Sequence, residues 1–161
     1  VFVPHGLGFL CAEQLLGIPV VRNWFTGLFR GGKTVFVNGG VSMLLGESFV
    51  LPNGKQYEGL NLFRYKGHYG MPSPAFTPVE VSSLEGDDVL NLGEKLRGRR
   101  VSYASVSNPG EKSRSIWTIK DSKSGRDLGL TGWSLGRGIA SDLCLDLWSN
   151  PEAAFRWMTQ R

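Results

Sequence analysis

Cationic and ring side chains crowd one stretch of this chain at a spacing suited to holding an anionic polymer. Between Lys95 and Arg126 stand Lys95, Arg97, Arg99, Arg100, Lys112, Arg114, Lys120, Lys123 and Arg126, against the acids Glu111 and Asp121. Cations meet phosphates and rings stack on bases, the combination that a single-stranded nucleic-acid platform uses. Arg114, Lys120, Tyr103 and Trp133, flanked by Arg97, Arg99 and Arg100, are therefore expected to form the ligand-binding face of a non-catalytic module. The expected partner is DNA or RNA. Cross-strand ion pairing and a cation over a ring are the plainer use of the same residues.

That face rests on a register. The turn clusters Asn108-Pro109-Gly110-Glu111 and Ser122-Lys123-Ser124-Gly125 separate three runs rich in Val, Ile, Tyr, Trp and Thr, the pattern of three antiparallel strands. Pairing Ser107 with Lys112 and Asp121 with Arg126 puts Ala104, Val106, Trp117, Ile119, Leu128 and Leu130 on a core face. Tyr103, Arg114, Ile116, Thr118, Lys120, Asp127, Thr131 and Trp133 then share the other. A slip of one residue exchanges the two faces.

Other chemistry is thinner. Gly27 to Thr34, GLFRGGKT, satisfies the phosphate-loop pattern G-x-x-x-x-G-K-[ST]. That loop works after a strand and before a helix, where backbone N–H groups wrap the phosphates. Here a helical stripe leads in and a strand-like run follows, so a glycine stop between helix and strand is expected instead. His68, in the polar and aromatic segment Arg64 to Gly70, is the second site candidate, since functional residues favour loops and imidazole exchanges protons near neutral pH. Cys11 and Cys144 lack metal-site spacing, and each sits in an apolar run as a buried thiol. A Cys144–His68 dyad has no local support. Asp87-Asp88 reads as a loop and Asp142/Asp146 as a helical charge pair. No cofactor or metal site is expected.

The elements that must position these residues follow from punctuation and period. Glycine occurs 22 times in 161 residues without a collagen period, which favours short strands and many turns over long helices. Pro19 to Phe29 carries apolar residues at helical spacing and stops at Gly31-Gly32, with a shorter helical turn at Ala12 to Leu16. Strands are expected at 34–38, 41–45, 47–51 and 55–59, the last two around Asn53-Gly54, and at 60–66. The span 67–83 contains Pro72, Pro74 and Pro78 and is expected to be a stiff, exposed loop with a short edge strand at 80–83. At the C-terminus, Ser141 caps a helix at 143–148, and Asn150-Pro151-Glu152 opens a helix to Gln160.

The length suits one domain spanning residues 1–161, an α+β fold with a strongly bent or barrel-like antiparallel sheet. A net charge of +4 and a pI of 9.3 permit a polyanionic partner. No apolar run reaches membrane-spanning length, and a soluble, intracellular protein with a processed or excised N-terminus is expected. The competing function is a barrel pocket for a small apolar ligand, or an enzyme built on it, lined by Phe36, Met43, Phe49, Phe63 and Trp117.

Overall fold

The computed structural model describes residues 1–6, 11–71, 75–107 and 115–159. Two helices, α1 (Ala12–Gly17) and α2 (Pro19–Arg30), follow a short strand at Phe2–Val3, with Pro19 at the start of α2 and Gly31 closing its end. They bury Ala12, Leu16, Leu28 and Phe29 and leave Trp24 half exposed. Strands β1 (Phe2–Val3), β2 (Val35–Asn38), β3 (Ser48–Val50), β4 (Gln56–Glu58), β5 (Lys66–Tyr69) and β6 (Phe76–Ser83) follow the expected rhythm only in part. They are succeeded by β7 (Lys95–Val101), β8 (Ala104–Ser107), β9 (Ser115–Asp121), β10 (Asp127–Leu135), β11 (Gly138–Ser141) and β12 (Cys144–Asp146). The helix α3 (Pro151–Thr159) closes the described chain, and Asn150 Oδ1 caps it by accepting from Ala153 N–H at 3.1 Å.

An eight-stranded sheet runs in the order β1-β2-β11-β10-β9-β6-β7-β12, and a four-stranded sheet runs β4-β3-β5-β8. The larger sheet is mixed. β1, β2 and β11 are parallel to one another, and every other neighbouring pair is antiparallel. Its far ends meet: Asn38, on the second strand, hydrogen-bonds to Leu145 on the last. A flat sheet would hold those strands far apart, so the sheet curls into a half-barrel. Phe36, Trp117, Leu96 and Ile119 fill one core, which α3 covers with Ala153 and Trp157. Met43, Phe49, Phe63, Tyr65 and Trp133 belong to the other. All five expected pocket-lining residues, Phe36, Met43, Phe49, Phe63 and Trp117, are thus packed core.

Several expectations need correction. Residues 41–45 form a 3-10 helix (Gly39–Leu45), because Gly39 turns the chain sharply at φ +70°. The 60–66 strand is absent, and β5 begins at Lys66. The expected loop and short edge strand within 67–83 give way to β5 and to β6, which lies inside the sheet despite Pro78. Proline is tolerated there because β9 flanks β6 only from Val79 onward. The expected helix at 143–148 is β12 followed by a 3-10 turn. β8 does not pair with β9; it joins β5 in the smaller sheet, so the three-stranded meander reduces to the β9–β10 hairpin.

Candidate functional site

Three parallel strands end together, and a crevice opens beyond their carboxyl ends, the place where open sheets with parallel strands bind ligands. His5 follows β1, Asn38 ends β2, and the segment after β11 leads into Cys144 on β12. The crevice holds about 740 Å³, with His5, Asn38, Arg99, Cys144, Asp146 and Trp148 among its lining.

Asn38 stands where a strand turns abruptly into a helix, the elbow geometry that hydrolytic enzymes use to present a nucleophile. Gly39 makes the elbow. Its φ is +70°, and a Cβ there would lie 2.1 Å from His5 Nδ1. Two tyrosines pin the turn, one on β5 and one just before it: Tyr69 donates to Gly40 O at 2.5 Å and Tyr65 to Ser42 O at 2.6 Å. The Asn38 carboxamide is fully engaged. Its Nδ2 donates to Leu145 O at 2.7 Å, and its Oδ1 accepts from Leu145 N–H at 2.9 Å.

His5 faces the same turn. Its Nδ1 accepts from Gly40 N–H at 3.2 Å, so the neutral ring carries its proton on Nε2, which reaches Tyr103 Oη at 2.6 Å. Burial, helped by the nearby Arg99 charge, lowers the His5 pKa below the ordinary imidazole value. In the same crevice, burial raises the Cys144 thiol above its usual value, although the Arg99 guanidinium beside it pulls the other way. Arg99 and Cys144 are register partners on β7 and β12, and Asp146 lies two residues further along the same strand face. Behind them Asp142 is buried, accepts from Thr131 Oγ1 at 2.5 Å, and has its carboxyl pKa raised by burial.

The expected binding face is not assembled. Trp133 is 3% exposed and packs against Tyr65 with ring centroids 4.7 Å apart and the rings tilted by 49°. The cause is a bulge between Asp127 and Gly129: Asp127 pairs with Lys120 as expected, but Gly129 then pairs with Ile119 and Thr131 with Trp117. One inserted residue exchanges the faces beyond it, so Leu130 is 56% exposed while Thr131 and Trp133 are buried. Lys120 is exposed on β9, and Arg97 is salt-bridged to Glu80 at 3.5 Å. Arg100 lines a separate hollow with Asp142, and Arg114 lies outside the described residues. Arg99 and Tyr103 do come together, but around the crevice, where Tyr103 is buried against His5. His68 is no loop residue: it lies on β5 between β3 and β8, with Nε2 2.7 Å from Ser107 Oγ. The phosphate-loop match is a helix end running into β2. Cys11 is exposed, contrary to expectation, and both cysteines are free.

His5, Asn38 and Cys144 escaped sequence reasoning as a group. The signal present was local: Val35-Phe36-Val37 followed by Asn38-Gly39-Gly40 is a strand entering a glycine turn, which a hairpin explains equally well.

No protein-family profile matches the chain. Over 139 residues, 82% of this chain, it is 32% identical to the hydrogenobyrinate a,c-diamide synthase of Rhizobium meliloti (strain 1021), and it spans 30% of that protein's length. Among solved structures, a glutamine amidotransferase from Thermotoga maritima matches with a TM-score of 0.50 at 8% identity, over 96% of this chain and 58% of that one. A β-galactosidase from Rahnella sp. R3 matches with a TM-score of 0.47 at 13% identity, over 89% of this chain and 21% of that one. The amidotransferase likeness is one of fold. The sequence relationship to an enzyme overturns the expectation of a non-catalytic nucleic-acid-binding module, and the burial of Trp133 removes the stacking ring on which that expectation leaned. Among the described residues, no helix is long and apolar enough to cross a membrane.

Proposed function

We propose that this chain is an amidotransferase-type domain belonging to an amide-forming enzyme, and that its working site is the crevice beyond β1, β2 and β11. The observation that carries the reading is the charge arrangement in that crevice. Arg99 and Asp146 sit on adjacent strands along one wall, beside the Asn38 elbow. A guanidinium and a carboxylate lining one crevice match the α-carboxylate and α-ammonium groups of an amino acid. The elbow side then receives the side chain, and L-glutamine is the carboxamide-bearing amino acid that fits this description. The identity with a diamide synthase and the likeness of fold to a glutamine amidotransferase support the assignment to amide chemistry.

The test is calorimetric titration of the chain with L-glutamine. Saturable binding is expected, and Arg99→Ala should weaken it by about tenfold or more through loss of a charge-assisted contact worth roughly 1.5–3 kcal/mol. Absence of saturable binding, or equal affinity in Arg99→Ala, would refute this site.

A further inference from the structure

We infer that the crevice holds a carboxamide-bearing amino acid without cleaving it, so that the nitrogen for amide formation reaches the enzyme as ammonia released by a separate reaction. This rests on the reading of the crevice just given.

Cleaving a carboxamide by covalent catalysis needs a nucleophile, a base to activate it and free N–H donors for the developing oxyanion. A thiolate or alkoxide bonds to the amide carbon, the C–N bond breaks, the nitrogen takes a proton and leaves as ammonia, and water releases the acyl group. The residue at the elbow is Asn38. A carboxamide offers no nucleophilic atom, and both its polar atoms are already bound to the Leu145 backbone. Among the described residues lining the crevice, the remaining thiol is that of Cys144, next in sequence to the Leu145 that Asn38 holds. Burial favours its neutral form over the thiolate that would attack. The nearest base is His5, and both of its ring nitrogens are taken, Nδ1 by Gly40 N–H and Nε2 by Tyr103 Oη. The same contact weakens the third requirement, because the Gly40 N–H at the turn is spent on His5 rather than aimed at a ligand.

The elbow side chain and the base are thus engaged in holding the fold. Asn38 ties the first strands of the sheet to the last, and His5 secures the turn. A donor bound here meets, among the described residues, recognition groups without a group poised to attack.

Two measurements on the unmodified chain, read together, decide the matter. The first is calorimetric binding of L-glutamine. The second is ammonia release from L-glutamine, followed by a coupled reductive-amination assay, with a diazoketone analogue of glutamine as a covalent probe read by mass spectrometry. Saturable binding with ammonia release at the buffer rate and no adduct on Cys144 is the expected result. Saturable binding with ammonia release above the blank and abolished by Cys144→Ser, or an adduct on Cys144, overturns this inference and leaves the binding site standing. No binding overturns the site itself, and this inference falls with it.

Discussion

Removing the Asn38 side chain should open the half-barrel. The carboxamide completes one donor and one acceptor on Leu145, at 2.9 Å and 2.7 Å, from a residue 3% exposed. In Asn38→Ala both backbone groups lose their partners. A buried polar group left unsatisfied costs about 1–3 kcal/mol, and because the crevice lets water approach, the lower half of that range applies to each. The sum is about 3 kcal/mol. At roughly 2–4 °C per kcal/mol for a chain of this size, the melting temperature should fall by ~6–12 °C. Asn38→Asp should be worse at neutral pH, since its carboxylate still accepts from Leu145 N–H but confronts Leu145 C=O with a second negative oxygen. Burial raises the pKa of such a carboxyl, so its stability is fully present below the unfolded value, about 3.9, and is lost as pH rises through the folded one. The Asp variant should therefore approach wild type in acid and depart from it toward neutrality. Urea unfolding at pH 4 and pH 7 measures both effects. A loss below about 0.5 kcal/mol in Asn38→Ala, the ordinary range for surface changes, would refute the claim that this side chain holds the sheet closed.

Two further predictions concern the interior. Trp133→Ala should cost about 3–5 kcal/mol, the range for deleting a buried aromatic ring, because its ring packs on Tyr65 in the core; denaturant unfolding reads this, and a near-neutral result would mean that the ring is not core. Asp142→Asn keeps an acceptor for Thr131 and abolishes the buried ionisation. Burial raises the Asp142 pKa, so wild-type stability is fullest below the unfolded value and declines as pH rises through the folded one. The variant should match wild type near pH 4 and exceed it at pH 8 in thermal unfolding; parallel curves across that range would show that Asp142 does not titrate with unfolding.

Local order was legible wherever neighbouring residues decide it. Pro19 and Gly31 bound α2, Asn53-Gly54 makes the β3–β4 turn with Gly54 at φ +80°, and Asn150 caps α3, because proline, positive-φ glycine and a capping oxygen act over a few residues. The bent sheet of an α+β fold was legible too, from glycine and short β-rich runs. What lies beyond that range belongs to tertiary structure. The parallel pairing of β2 with β11 joins residues over a hundred positions apart, which no periodicity encodes. The bulge at Leu128 inserts one residue into an otherwise correct pairing and sends Trp133 inward, since alternation carries no memory of an inserted residue. The site follows the same rule. His5, Asn38, Arg99 and Cys144 are ordinary residues in four separate stretches, and only the curl of the sheet, closed by Asn38 on Leu145, brings them around one crevice.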